Sequence, residues 1–452
     1  MMPPVVITLR LLLLWLILLP NLAAADPITS SALGRRALSQ PMPGLTATEL
    51  EQFLQGRSLF AQMWVISPSA DQQVDGLGPL YNAISCASCH PGNGHGRAPD
   101  RPGQAMRSML VRLSLPGHDI HGGPRPHPFC GDQLNEQGVP GVAGEGRASV
   151  SYQEQVVRLA DDTAVTLRRP QLNLSASRCQ PATELLTSAR IGPALVGQGL
   201  LDAIPNAAIL QRADPEDRDA DGISGRPNPV YDVALQQMTT GRFGYKANVP
   251  NLRQQIASAF HGDLGISSSL FPDQNCTAAQ TDCQTAATGG DPELSDEQLD
   301  QLVFYHQTLA LPARRQPEAP NVQLGEQLFY QAGCESCHRA QFKTAANASP
   351  AILANRTIQP WSDLLLHDMG PELADNRPDF NASGQEWRTT PLWGIGLADK
   401  VSDHPGFLHD GRARNLLEAI LWHGGEASKS RTAVTLMSRE QRRALLDFLH
   451  SL

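Results

Sequence analysis

Two copies of one pentapeptide, Cys86-Ala87-Ser88-Cys89-His90 and Cys334-Glu335-Ser336-Cys337-His338, constrain this 452-residue chain more than any other feature. In Cys-x-x-Cys-His the two thiols are spaced to add across the vinyl groups of a porphyrin, and the adjoining imidazole turns onto the iron. A zinc ligand set and a thioredoxin-like dithiol are the competing readings. With eight Cys and thirteen His in the chain, one chance copy is rare and two are far rarer. The expectation is two covalently bound haem c groups, with His90 and His338 as proximal ligands.

The first residues point the same way. Arg10, the apolar run Leu11 to Leu19, Pro20 and Ala23-Ala24-Ala25 form a charged region, a short apolar region and an A-x-A cleavage site. Residues 1–25 read as a signal peptide cleaved after Ala25, with an uncleaved anchor as the alternative. No later stretch approaches ~20 apolar residues, so no membrane span is expected after cleavage, and the compartment is the periplasm. Haem attachment to Cys-x-x-Cys-His also takes place outside the cytoplasm. Oxidising surroundings suit the other four cysteines. Cys276 and Cys283 lie in one short polar loop and can close a bridge; Cys130 and Cys179 then pair by elimination. A net charge of −9 argues against nucleic acid and anionic membrane surfaces. The 38 Gly and 35 Pro, with few aromatic residues, suggest long ordered loops.

An internal duplication organises the chain. Gly56-Arg-Ser-Leu-Phe60 precedes the first pentapeptide and Gly325-Glu-Gln-Leu-Phe329 the second, each reading as a helix. Leu294–Tyr305 and Met437–Phe448 both offer Ser as N-cap, acidic or amide residues in the first turn, and an apolar face carrying Leu302/Val303 or Leu445/Leu446. A helix before Cys-x-x-Cys-His and an amphipathic helix closing the unit is the cytochrome c plan. The expected fold is mainly α, with two cytochrome c-like haem units, the first enlarged by long loops and a small β-hairpin. The boundaries read are 26–312 for the enlarged unit, 313–320 for a Pro-bounded linker and 321–452 for the second unit. Ser149–Leu167 alternates around Asp161-Asp162 as a hairpin. Gly197–Ala213 reads as short helix broken at Pro205.

The mature chain resembles, over nearly its full length, the bacterial di-haem oxidoreductases labelled peroxidase or thiol oxidoreductase. The resemblance rests on Gly76–Ala83, Gly199–Pro205, Gly241–Asn248, Leu364-Leu-Leu-His-Asp-Met-Gly370 and Phe407-Leu-His-Asp-Gly-Arg412. That family is similar to the di-haem cytochrome c peroxidases and to MauG, which matures tryptophan tryptophylquinone. The likeness to the peroxidases is confined to the cytochrome c units. No free, activated Cys is left to support thiol chemistry.

An iron with one protein ligand binds oxygen or peroxide, whereas one with two mainly transfers electrons, so the sixth ligands decide function. For the second haem, His367, Met369, His409 and His423 are the candidates. The segment Phe407–His423 is similar to the peroxidase stretch in which His-Asp-Gly is followed by the axial Met or Tyr; here that position holds His423. Leu416, Leu417, Ala419 and Ile420 give a helix presenting His423 inward, ahead of Met369. His in place of Met implies a lower potential. His409 is read as bonding a propionate or backbone, and His367 as structural. For the first haem, His95 is too near His90 to reach the opposite face. Of His118, His121 and His127, His121 is the candidate to close the distal side, against its reading as a surface loop histidine. The peroxidases' distal motif is not recognisable. If the first haem is open, peroxide cleavage needs an acid–base group, for which Asp202 is the candidate.

Asp217-Arg-Asp219-Ala-Asp221-Gly222-Ile223 has the start of a calcium loop, with three carboxylates and the Ile223 carbonyl. Asn228 stands where the bidentate Glu would be, and a solvated turn is the alternative. The resemblance implies a peroxidase-type oxidoreductase: a small donor such as a cytochrome c or cupredoxin reduces the C-terminal haem, and peroxide is cleaved at the N-terminal one. Alternatives are MauG-like oxidation of a protein substrate, dioxygen chemistry as in the di-haem rubber oxygenases, and a di-haem electron carrier without catalysis.

Overall fold

The computed structural model describes residues 26–452 except 102, 176–177, 180–183, 340 and 403–405. The expected signal peptide lies outside the described residues. Two helix pairs form the repeated frame. α1 (Ala47–Ala61) begins at a capping box made by Thr46 and Glu49. It packs on α3 (Asp296–Gln307), which is capped by Ser295 and Gln298; between them in sequence lies α2 (Leu252–Ala259), capped by Asn251. α4 (Pro320–Gln331) packs in the same way on α6 (Arg439–Ser451), capped by Ser438 and Gln441, with α5 (Leu416–Trp422) preceding it.

Both pairs cross at a glycine because nothing larger fits. A Cβ on Gly56 would overlap the Gln301 carbonyl, and one on Gly325 the Ala444 carbonyl. Aromatic rings fill the space beside each crossing. Phe53 and Phe60 lie 4.9 and 5.4 Å from Tyr305, and Phe329 lies 5.3 Å from Phe448 and 5.7 Å from Trp361. In α6, Ala444, Leu445, Phe448 and Leu449 are buried at helical spacing, which sets the face turned to α4.

The expectation of a mainly α chain gives way to a mixed one, without a closed barrel. Most of the added structure is β and lies between the first pentapeptide and α2. Strand β1 (Met109–His118) pairs antiparallel with β4 (Leu186–Ile191), Met109 opposite Ile191 and Ser114 opposite Leu186. Between them, β2 (Arg147–Arg158) and β3 (Ala164–Ser175) form a hairpin longer than the expected Ser149–Leu167. Its turn uses Asp162 at φ +61°. Beyond the hairpin, Gln198–Asp202 and Asn206–Leu210 are short helices on either side of Pro205.

Each of the two large cores draws on both halves of the chain. Phe53, Leu252, Leu302 and Tyr305 are packed in one core with Leu353, Leu365 and Trp393. Phe329, Leu416, Leu445 and Phe448 share the other with Val150, Leu159 and Tyr245. The hairpin tip is fastened to the C-terminal half: Arg442 Nη2 donates to Asp161 Oδ2 at 2.6 Å, and the Ala160 N–H donates to Thr435. Near the C-terminus, β5 (Leu366–Asp368) pairs antiparallel with β6 (Glu386–Arg388), His367 opposite Trp387.

Candidate metal centres

Cys86–Cys89 form one helical turn opened by Ser85, whose hydroxyl accepts the Ser88 N–H. His90 follows with Nδ1 2.8 Å from the Pro193 carbonyl. At the second pentapeptide, Gly333 at φ +75° starts a 3-10 turn over Cys334–Ser336, and His338 Nδ1 lies 2.8 Å from the Trp361 carbonyl. A carbonyl can only accept, so each Nδ1 carries the proton and each Nε2 keeps its lone pair for a metal. Burial pushes both imidazoles down to about 4, which keeps them neutral and able to ligate. The opposite holds for the thiols. Burial raises Cys86, Cys89 and Cys334 to about 12, and none of the four is in a disulfide. A redox dithiol needs a depressed pKa, so this environment does not fit one. Nor does zinc fit: among the described residues, the one cluster of three or more ligand-type side chains that could hold a metal lies elsewhere, at Asp217, Asp219 and Asp221. The pentapeptides fit a covalently held haem.

A cavity of about 950 Å³ opens beside Cys86, Cys89 and His90, at the upper end of the ~300–1,000 Å³ range of ligand sites. β1 and β4 form part of its wall, so the inserted β structure builds this site. His121 does not face it. Asp119 Oδ1 accepts the N–H groups of His121 and Gly123, and the His121 ring turns out to stack on Tyr231 at 3.7 Å. From the same loop His127 lines the cavity instead, and its Nδ1 accepts the Phe129 N–H. His118 is exposed. His95 lines the cavity, and its buried Nδ1 has no partner among the described residues. Asp202 also departs from expectation. Its Oδ1 accepts the Leu252 N–H, fastening the start of α2, and it is not part of the cavity wall.

Two histidines in that wall escaped the sequence reading, His261 and His306. His306 Nδ1 bonds the Leu302 carbonyl four residues back, at 2.7 Å. His261 lies two residues beyond α2 and His423 directly after α5, each helix opening on an Asn cap. That echo is the signal that could have found it.

At the second site His423 closes α5, with Nδ1 2.7 Å from the Ala419 carbonyl and no bond to Nε2 from any described residue. It is close enough to His338 to contribute to that ring's low pKa. Met369 packs at the edge of the second core, its backbone carbonyl against Gly424. His367 has no lone pair to offer: Nε2 bonds Asp363 at 2.8 Å and Nδ1 bonds Glu426 at 2.6 Å. These carboxylates outweigh burial and hold it well above the usual imidazole range, as a cation 3.5 Å from Cys337 Sγ. His409 stacks flat on Trp387 at 3.7 Å, and its carbonyl accepts the Ile191 N–H, joining β4 to the C-terminal half.

The Asp217, Asp219 and Asp221 oxygens lie within 4.8 Å of one another, as a hard cation needs. The Ile223 N–H donates to Asp221, and Lys429 Nζ lies 2.7 Å from the Asp221 carbonyl. Cys130 is bonded to Cys179 and Cys276 to Cys283, with Cα separations of 5.6 and 5.7 Å.

The model of a family described as "Di-haem oxidoreductase, putative peroxidase" matches residues 28–452. Among solved structures, a chain of Kuenenia stuttgartiensis hydrazine synthase, pressurised with 20 bar xenon, is similar at 14% identity and a TM-score of 0.35, with 100% of both chains covered. No curated protein matches.

Proposed function

Because the chain belongs to the di-haem oxidoreductase family and is thereby a haem oxidoreductase, we propose that it is an exported c-type enzyme that reduces peroxide with electrons from an external donor. In this reading Cys86 and Cys89 hold one haem with His90 as ligand, and Cys334 and Cys337 hold the other with His338 and His423. Haem supplies one-electron redox chemistry and, where a position on iron is free, a place for peroxide. The chain's own residues do the rest. The Pro193 and Trp361 carbonyls orient the proximal rings, the apolar cores exclude water, and the cavity beside His90 would house the first haem.

One observation carries the reading: the two sites are unequal. A cavity of about 950 Å³ lies beside His90 with inserted β structure in its wall, whereas at the second site His423 closes α5 with its Nδ1 on the Ala419 carbonyl. The C-terminal site suits electron entry from a small cytochrome or cupredoxin, and the N-terminal one suits reaction. Crossing of both helix pairs at a glycine supports cytochrome c-like units divided near 313–320. Residues 1–25 support the periplasm, and no described helix is long and apolar enough to cross a membrane. Calcium in the 217–223 loop belongs to the same reading, supported by its three convergent carboxylates.

Peroxide consumption with a reduced cytochrome c as donor tests the proposal. Turnover that stops when either proximal histidine is replaced is expected; absence of turnover with any small donor rejects it. A non-catalytic electron carrier is the second reading, favoured by His127, His261 and His306 in the cavity wall, one of which would close the first iron. Oxygen uptake without peroxide, or oxidation of a partner protein, would instead mark the dioxygen and MauG-like readings.

A further inference from the structure

The β2–β3 hairpin lies outside the duplicated helix frame, and one of its two edges is left open. Local contacts fix which backbone groups point outward. The Leu159 N–H donates to the Thr163 carbonyl across the turn, so odd-numbered residues of β2 bond β3 and even-numbered ones face away. In agreement, the Ala148 N–H donates outward to Glu136 Oε1. On β3 the Thr166 carbonyl accepts from Arg414 Nη2, and Pro170, which has no N–H, also stands at an outward position.

The two edges differ. On β3, Pro170 and Arg414 break the row of free groups, and α5 packs alongside. On β2, the outward N–H and carbonyl groups of Glu154, Val156 and Arg158 find no partner outside the hairpin among the described residues. That stretch has no proline and no bulge, and its register with β3 runs unbroken from Arg147 to Arg158. Such an edge is a template for another strand.

Its side chains specify which strand. Val157 and Leu159 pack on the second core, so Glu154, Val156 and Arg158 stand together on the opposite face. All three are exposed, Val156 at 60%. Across the hairpin Glu154 lies opposite Arg168, but Arg168 is spent on Asp100 and the Arg412 carbonyl. Neither Glu154 nor Arg158 has an ion-pair partner among the described residues. Centred on Val156, the edge carries an acid two residues before and a base two residues after. Turned end over end, that order is its own complement.

We propose that β2 pairs antiparallel with β2 of a second copy of this chain, about a two-fold axis through Val156. In that register Val156 meets Val156 of the second copy, and Glu154 meets Arg158 of the second copy on both sides of the axis. Each of these pairs exchanges both its N–H···O=C bonds, and the two hairpins become one four-stranded sheet. Moving the axis to Glu154 or to Arg158 sets like charges face to face, so charge selects the register. The pairing is independent of what the haem sites catalyse.

Sedimentation of the holoprotein across a range of concentrations tests this, and the molar mass should rise from that of one chain to that of two. Glu154→Arg and Arg158→Glu each turn both charge pairs of the interface into like pairs, and each should weaken association by about ten- to hundredfold. The double variant Glu154→Arg/Arg158→Glu restores opposite charges and should recover the parent's dimer. Val156→Pro removes the outward N–H at the axis but none of the hairpin's own bonds, as Pro170 does on β3. It should be a monomer with the parent's far-ultraviolet circular dichroism. A parent that stays monomeric at every concentration overturns the proposal. So does a dimer that survives the single charge reversals, or one that the double variant fails to recover; either would mean a partner strand of another kind or a different surface. Should Val156→Pro not fold, the charge-reversal set decides by itself.

Discussion

His90, His338, His306 and His423 share one device: a backbone carbonyl takes the Nδ1 proton and leaves Nε2 free. For the first two the motif points to this, because in the proposed haem sites Cys-x-x-Cys would place the next residue beside the iron. For His423 the helical spacing from Leu416 was enough to turn the ring inward. Replacing His423 by Ala should convert the ferric C-terminal haem from low spin to high spin, with added imidazole restoring the low-spin spectrum. His423→Met should keep it low spin and raise its potential; electronic spectra and a redox titration check both. His121 and Asp202 were misread for one physical reason. A side chain's direction in a loop follows from local hydrogen bonds, here Asp119 to the His121 N–H and Asp202 to the Leu252 N–H, and spacing carries no trace of them. Glu145 is a third residue fixed by such bonds. Its Oε2 accepts the Asn135 N–H and its Oε1 a Gln280 N–H, and burial raises its pKa from 4.5 to about 7. An acid with a higher pKa in the folded chain gains a proton on folding, so stability is lost as pH rises from 4.5 through about 7. The loss is on the order of 3 kcal/mol. Glu145→Gln should remove that part of the slope, as measured by urea denaturation of both proteins across the interval.

At the level of elements, the helices were legible because their signals are local. Ser295 with Gln298 and Ser438 with Gln441 cap α3 and α6, and Gly56 and Gly325 mark both crossings. Gly325→Ala drives a methyl into the Ala444 carbonyl, which costs about 1–3 kcal/mol or more by forcing α4 and α6 apart. Its Tm should fall by about 1 °C for each kcal/mol in a chain of this size. Gly34→Ala, with nothing within 4 Å of the added Cβ, should change stability by no more than about 0.5 kcal/mol. The strands were harder to read. β1 and β4 pair across some seventy residues, and that partnership has no local signature. The hairpin was recognised but cut short at Leu167, because Arg168-Arg169-Pro170 interrupts the alternation that Gln171-Leu-Asn-Leu-Ser175 then resumes.

Across the whole molecule, the duplication visible in the sequence survives as two helix pairs, while the insertion in the first copy accounts for the difference between the sites. β1, β4 and the π-helical turn after α2 build the cavity wall at His90, and the hairpin reaches over to Arg442 and Thr435. Composition, with its many Gly and Pro, spoke for ordered loops but could not show that they enclose a site. In the proposed enzyme the two haems are coordinated unequally. Electron paramagnetic resonance of the oxidised holoprotein, before and after cyanide, distinguishes them. One low-spin ferric signal indifferent to cyanide and one high-spin signal that cyanide converts to low spin are expected. Two low-spin signals, neither changed by cyanide, would rule out unequal coordination.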